Sequence, residues 1–579
     1  MSTRSNPNNL EILHHSAAHV LAAAVLEMFP EAKFGVGPAI ENGFYYDFEL
    51  PRTLIPEDLP LLEEKMRKII QANYPIEKAE MPIKEALEHF KKLHQDYKVE
   101  LIKDLEKNGE KKVSVYKLNN FVDLCIGPHL DSSGEIKTDA FKLSRISGAY
   151  WKSDEKNKQL QRIYGLAFAS KKELDEYLKN REEAEKRDHK KIGRELDLFS
   201  FQPECPGSPF WHPKGMIIWN ELEKFGKSLR KKYGYQEIQT PILAKNSLWI
   251  TSGHWDHYKD SMFYFDIDKE TYAIKPMDCP FNIKIYQTRP RSYKELPIRY
   301  TEIGRVMRRE KSGELNGLLR VQHITQDDSH IALTRDQVEE EIGKIISMSR
   351  EYYQAFGIEP RFFFATRPEN FMGKVEDWDI AEKSLENALK KEGVEFKIKE
   401  KDGAFYGPKI DIDIKDAMGR PWQLATIQLD FQLPGKFSME YVDKNGERKV
   451  PVMIHAAVFG AFERFIGILI EHYAGVFPIW LSPVQAIIIP VSEKFNEYGE
   501  KIIENLKENN IRVEMDNSDE SLGKRIREAE KQKIPYILVV GEKEAKSESV
   551  AVRSRNKEQQ VIKLSEFIKK IKKEITEKK

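Results

Sequence analysis

The stretch that most limits what this chain can fold into runs from Leu296 to His330: LPIRYTEIGRVMRREKSGELNGLLRVQHITQDDSH. Its alternation predicts a strand over Pro297–Arg308 and a return strand over Leu319–His330, joined by the charged, glycine-containing loop Glu310–Gly317. Period-2 geometry then puts Arg308 and Glu310 on one face of the first strand. It puts Arg320, Gln322, Gln326, Asp328 and His330 on one face of the second. Arginines, carboxylates, amides and a histidine do not make a hydrophobic core. An exposed face of an antiparallel sheet would carry such residues. So would the floor of a phosphate site, because paired arginine forks match phosphate oxygens.

The chain has 579 residues, too many for one core, which predicts about three or four domains. Its 93 basic and 93 acidic residues cancel, so a surface for a polyanion must be local. No apolar run has membrane length. Met1–Asn9 is polar and the first helix carries histidines, which argues against a signal peptide. Cys125, Cys205 and Cys279 are too widely spaced for a disulfide framework and suggest a reducing compartment.

Taken in order, Leu10 to about Phe29 reads as a helix. HSAAH puts His15 and His19 at i and i+4 on one face. DLCIGPHLDSSG adds Asp123, Cys125 and His129 around a Gly-Pro turn. This His/Cys constellation has metal-like or hydrolytic character, although no zincin signature is present. Histidines satisfied separately by backbone partners are the plainer alternative. The surrounding order of helix, strand GFYYDFEL, amphipathic helix and short strands predicts an α+β domain ending near Leu166. Lys171 to about Leu196 is predicted to be one exposed helix bridging domains.

A larger domain begins near Phe199 with a long amphipathic helix and a strand ending at Pro241. Cys279 falls in a Pro-bounded turn after a strand. FYGPKIDIDIKDAMGRPWQLATIQLDF predicts two strands, with Thr426, Gln428 and Asp430 on one face. PVMIHAAVFGAFERFIGILIEHY begins with an exposed-looking His455 and runs into a helix buried through Phe462, Phe465, Ile466, Leu469, Ile470 and Tyr473. Arg464 in its first turns is misplaced for the macrodipole but suited to an anion. After Pro483, apolar strands VQAIIIPV, IRVEMD and YILVVG alternate with charged helices. They predict a small α/β domain with a mostly parallel sheet. Arg553, Arg555 and the terminal lysines could meet a phosphate backbone.

Together these segments resemble the threonyl-tRNA synthetases, class II aminoacyl-tRNA synthetases, over nearly the whole chain. YQEIQTPIL resembles class motif 1, RVMRRE motif 2 and FGAFERFIG motif 3. KPMDCP, TQDDSH and PVMIH resemble the segments that supply zinc ligands in that family. HSAAH and CIGPH resemble its editing domain, which is related to that of alanyl-tRNA synthetases. No GxxxxGKS/T phosphate loop and no HIGH or KMSKS signature competes. The family's frequent ubiquitin-like N-terminal domain is missing from the expected order. Phe281 and Asn282 stand where relatives often have Gly-His, and Ile126 where they often have Arg.

The resemblance implies a multidomain α+β fold with an antiparallel class II core. The boundaries are 1–168 for editing, 169–198 for a linker helix, 199–480 for catalysis and 481–579 for anticodon binding. It implies a cytoplasmic, ATP-dependent, homodimeric threonine–tRNA ligase acting on L-threonine and tRNA(Thr), with no membrane. Cys279, His330 and His455 would hold one Zn2+. Arg308, Glu310, Arg320 and Arg464 would be catalytic and bind ATP with Mg2+, joined by Gln423, Thr426 and Gln428. Gln326, Asp328, Tyr406 and Lys409 would touch substrate. His15, His19, Lys98, Asp123, Cys125 and His129 would edit mischarged Ser-tRNA(Thr), with a metal there left open. A prolyl or seryl synthetase, or a synthetase-like RNA-binding regulator without catalysis, are the rival readings.

Overall fold

The structure is a computed structural model that describes residues 9–578. The N-terminal residues read as polar, non-signal sequence therefore lie outside the described residues up to Asn8. The chain divides into two compact units, Met1–Glu183 and Ala184–Lys579.

The first unit is built around helix Asn9–Met28. Ala17, Val20, Leu21, Ala22, Ala24 and Val25 are all fully buried, so nearly every side of this helix lies inside, as its apolar composition requires. An antiparallel sheet packs with it, in the order Lys33–Phe34, Gly43–Glu49, Gln159–Ala167, Phe141–Tyr150. Phe34, Phe44, Tyr46, Phe48 and Phe121 fill the space between them. A second antiparallel sheet, Ile76–Pro82, Lys112–Leu118, Phe121–Leu124, carries Asp123 and leads into Cys125. The α+β expectation holds here.

In the second unit the centre is an eight-stranded sheet. Its order is Gln236–Glu237, Ile298–Met307, His323–Leu333, Val452–Ala461, Pro421–Asp430, Lys409–Lys415, Arg361–Ala365, Phe396–Lys399. All neighbours are antiparallel except the two outermost pairs. Helices Pro213–Lys232, Val338–Gln354 and Phe462–Tyr473 contribute to its core through Leu222, Ile345, Tyr352, Phe465 and Leu469.

Several sequence expectations are corrected. The first strand of the opening hairpin stops at Met307 and the second starts at His323, so Arg308, Glu310, Arg320 and Gln322 lie in the connecting loop and not on strand faces. The backbone explains this. Arg308 N–H donates to Gln322 O at 2.9 Å and Gln322 N–H to Gly207 O at 2.7 Å, and two short 3-10 turns consume the residues between. His455 is 4% exposed on a central strand, not at an open helix start. Cys279 opens helix Cys279–Tyr286. The bridging segment is two helices, Lys171–Lys186 and His189–Glu195, with Asp188 capping the second through Lys190 N–H and Lys191 N–H. That second helix is solvated on one face only: Lys190, Lys191, Arg194 and Glu195 are exposed, while His189, Ile192 and the following Leu196 are buried.

The C-terminal sheet runs Val513–Met515, Ala486–Pro490, Tyr536–Val540, Ser549–Ser554, Gln559–Lys563. Its first three strands are parallel and the last two add antiparallel, so it is parallel in half rather than most of its pairings. The C-terminal segment returns as an antiparallel edge, which short loops allow.

Candidate active site

Register places the first cluster. His330 pairs with His455 across adjacent strands, and His455 with Gln428 on the next. The two imidazoles sit edge to face with centroids 4.9 Å apart. One donor atom each from Cys279, His330 and His455 lies within 4.8 Å of the others. Both ring nitrogens of His330 and Nδ1 of His455 are buried without a hydrogen-bond partner. His455 Nε2–H donates to Asp430 Oδ2 at 2.9 Å, and Asp430 Oδ1 accepts from Gln432 N–H and Leu433 N–H. Orphaned buried nitrogens cost free energy unless something occupies them. One thiol and two imidazoles converging in this way fit Zn2+, with a carboxylate orienting a ligand from behind. Burial, Asp328, Asp278 and Asp430 push the Cys279 thiol well above its ordinary range, and burial holds His330 well below.

Around this cluster, Asp328 is on the His330 face, and burial with Asp278 nearby raises its carboxyl well above the usual range. Tyr406 OH donates to Gln428 Oε1, with its ring 5.8 Å from that of His455. Lys409 opposes Gln428 on the next strand but is engaged by Asp411 at 2.9 Å. Gln326 precedes an irregularity in the pairing with Val452–Ala461.

The arginines form the second group. Arg308 Nε–H donates to Pro276 O at 3.1 Å, and its guanidinium lies over the Tyr258 ring. Arg320 is exposed and pairs with Glu310 and Glu314, each at 2.8 Å. Arg464 Nε–H donates to Leu319 O at 2.9 Å and Nη1 reaches Gln423 O at 3.5 Å. Burial, Arg320 and Arg308 lower the Arg464 guanidinium from its ordinary value, so three like charges act on one region, offset on Arg320 by Glu310 and Glu314. Thr426 is 3.5 Å from Asp411. The site thus brings Cys279, His330 and His455 together, and separately Arg308, Glu310, Arg320 and Arg464 with the Gln423 carbonyl, while Thr426 lies against Asp411 and Gln428 against Tyr406.

A buried network beneath the site was not read from sequence. Lys275 Nζ meets Asp278 at 2.6 Å and Thr240 Oγ1 at 2.8 Å, and Thr240 and Asn282 donate to Glu302. A Cβ on Gly304 would come 1.9 Å from Asp278 Oδ2, so only glycine fits there. Asp430 was also missed as an orienting group, although it continues the Thr426–Gln428 alternation. Asn282 takes part in this network where relatives often carry histidine.

The first unit holds a separate cluster. Cys125 Sγ is 3.1 Å from His15 Nε2 and 3.3 Å from His129 Nε2, and His19 Nε2 is 3.4 Å from Asp123. Lys98, 2% exposed, pairs with Asp123 and donates to Tyr46 OH at 3.2 Å, while Tyr46 OH donates to Asp123 at 2.6 Å. All six predicted residues therefore come together, as do Tyr46 and Ser16, which were missed. Leu130 N–H donates to Ser16 Oγ at 2.8 Å. Burial lowers His19 and His129 and pushes the Cys125 thiol up to about 11. At neutral pH these groups are neutral imidazoles and a thiol, which can hold a water by hydrogen bonds rather than act as strong bases. Ile126 stands 78% exposed beside them.

Residues 263–473 match the family described as tRNA synthetase class II core domain (G, H, P, S and T). Residues 485–574 match an anticodon binding domain, and 113–164 the threonyl and alanyl tRNA synthetase second additional domain. Core sheet, arginine set and appended domains define a class II aminoacyl-tRNA synthetase. The chain is 51% identical over 564 residues to a threonine--tRNA ligase of Clostridium tetani, covering 97% of this chain and 88% of that one. It is 52% identical over 567 residues to one of Clostridium botulinum strain Langeland, covering 98% and 89%. The crystal structure of the RNA binding domain of threonyl-tRNA synthetase from Cryptosporidium parvum aligns with TM-score 0.64 at 40% identity, over 67% of this chain and 98% of that one. A threonyl-tRNA synthetase structure from Aeropyrum pernix aligns with TM-score 0.59 at 26% identity, over 68% and 97%. The chain belongs to the threonine--tRNA ligase family. No helix among the described residues is long and apolar enough to cross a membrane.

Proposed function

We propose that this chain activates L-threonine with ATP, transfers it to tRNA(Thr), and hydrolyses mischarged Ser-tRNA(Thr). The Cys279–His330–His455 cluster, with its unpartnered imidazole nitrogens, carries the reading. When bound, Zn2+ on one thiolate and two imidazoles would offer open positions to the amine and hydroxyl of threonine. Valine lacks the hydroxyl and leaves a polar site unsatisfied, so it is rejected strongly. Serine lacks only a methyl, worth about 1–3 kcal/mol, too little for accurate translation.

A second, hydrolytic site is therefore required. His15, His19, Lys98, Asp123, Cys125 and His129 supply its chemistry by placing a water against the seryl ester. In the core, Arg308 clamps the α-phosphate as the threonine carboxylate attacks, and Glu310 orients the adenine. Arg320 exchanges its carboxylate partners for the outer phosphates and shares them with Arg464 and Mg2+. Gln423, Thr426 and Gln428 border the nucleotide, and Gln326, Asp328, Tyr406 and Lys409 border threonine and the tRNA end. Catalysis is mainly positioning and charge neutralisation. Pyrophosphate leaves as the adenylate forms, and the 3′-terminal ribose hydroxyl then attacks its carbonyl carbon, losing its proton and displacing AMP.

The reading extends to domains at 1–168, 169–198, 199–480 and 481–579, the last reading unstacked anticodon bases. It places the enzyme in the cytoplasm as a homodimer. Ile242, Leu243, Phe265 and Ile267 are each more than 40% exposed on or beside one small sheet, which supports an apolar partner surface. Threonine-dependent ATP–pyrophosphate exchange, measured with zinc content, tests the proposal. Exchange driven better by proline or serine, or neither zinc nor exchange, overturns it.

A further inference from the structure

Arg320 and Arg464 depend on one short loop. Leu319 O accepts the Arg464 Nε–H at 2.9 Å, and Asn316 N–H donates to Arg320 O at 3.1 Å. None of the three class motifs holds this loop in place alone. Helix His189–Glu195 does so from the segment that follows the N-terminal unit. The His189 ring is buried, donates from Nδ1 to Glu471 Oε1 at 2.8 Å, and accepts Leu318 N–H on Nε2 at 3.1 Å. These two bonds demand a single tautomer, with Nδ1 protonated and Nε2 bare. Lys190 Nζ reaches Asn316 Oδ1 at 3.2 Å. The contact is backbone-close: Gly317 has φ +50°, and a Cβ there would lie 2.2 Å from His189 Nε2. Glu471 sits on the same helix as Arg464, about two turns further along. His189 thus ties the loop to the very helix whose arginine the loop seats.

We infer that His189 is a positioning residue for the nucleotide, acting through the Leu318 amide on Arg320 and Arg464. The inference rests on the proposed role of those arginines in holding the outer phosphates. Leu318 is fully buried, so without an acceptor its N–H is left unsatisfied and the loop must shift. Among the described residues no hydrogen bond or ion pair joins the loop to Cys279, His330 or His455, so the nucleotide end suffers and the threonine end does not.

The test is threonine-dependent ATP–pyrophosphate exchange with the full-length, zinc-loaded protein. His189→Ala is expected to raise KM for ATP by about 10-fold to 100-fold, with kcat reduced less. KM for threonine and zinc content should stay within about twofold of the parent. His189→Gln keeps a donor and an acceptor and should recover most of the loss. Lys190→Ala, a change at the surface, should raise KM for ATP by about two- to fivefold. If His189→Ala does not fold, Lys190→Ala decides, and an unchanged KM for ATP in that variant overturns the inference. So does a folded His189→Ala protein in which both KM values rise together, or in which only thermal stability falls. Absence of threonine-dependent exchange in the parent protein would defeat the function proposed above, not this inference.

Discussion

Asp430→Asn gives a sharp test of how the amino-acid pocket is prepared. Asp430 is fully buried and uses its two oxygens differently. Oδ1 takes Gln432 N–H at 2.7 Å and Leu433 N–H at 3.0 Å, and Oδ2 takes His455 Nε2–H at 2.9 Å. Asparagine keeps an oxygen for the two backbone amides, so the local turn survives. Its NH2 group then faces His455 Nε2, where two donors would oppose each other. The imidazole must move its proton to Nδ1, the buried nitrogen left without a hydrogen-bond partner. A hydrogen bond to a charged group is worth about 1.5–3 kcal/mol. Loss of an orienting partner behind a metal-binding histidine costs about 10–100-fold in affinity, about 1.4–2.8 kcal/mol. The assay is zinc competition against a chromophoric chelator on the full-length protein, with nucleotide binding as a control. The expected result is weaker zinc binding by at least about tenfold, with ATP binding intact. Zinc affinity equal to the parent's refutes the tautomer argument.

Three other outcomes follow from the same structure. Cys125→Ala or His129→Ala should let Ser-tRNA(Thr) accumulate while threonine charging continues; loss of charging with serine clearance intact contradicts the editing assignment. Lys98→Met strands Asp123 beside Tyr46 and His19 in a site where both ion-pair partners are 2% exposed. Breaking a buried pair by removing one partner costs about 3–5 kcal/mol, so melting of the first unit, followed by tryptophan or hydrogen-exchange signals, should fall while zinc content holds. Burial pushes the Glu463 carboxyl up from 4.5 to about 7. Between those values the folded chain keeps a proton that the unfolded chain has released, so Glu463 makes stability fall as pH rises through this window. The penalty above pH 7 is at most about 3 kcal/mol. Glu463→Gln should flatten the pH dependence of melting between about pH 5 and 7, and an unchanged slope counts against the shift.

Much of the site was legible because its chemistry is local in sequence. HSAAH and CIGPH announce their cluster through fixed spacing, whereas Cys279, His330 and His455 in KPMDCP, TQDDSH and PVMIH were linked as a ligand set only by the resemblance to the threonyl-tRNA synthetases. Alternation alone placed Thr426, Gln428 and Asp430 on a common face. The spacing and alternation readings rest on side-chain period and residue chemistry, which the chain carries at every scale. What tertiary structure decided is where distant segments compete for the same backbone groups. The opening hairpin loses its strand ends because Gln322 binds Gly207 and Arg308 binds Pro276. His455 looks exposed beside a helix in the sequence, yet it is buried because strands on both sides cover it. Tyr46 becomes a site residue only when its strand brings its hydroxyl to Asp123 and Lys98. His189 reads as one charge-rich position on a solvated helix, and its meaning depends on Glu471, 282 residues away. Periodicity records which face of an element is apolar, but a buried hydrogen bond between remote residues leaves no periodic trace.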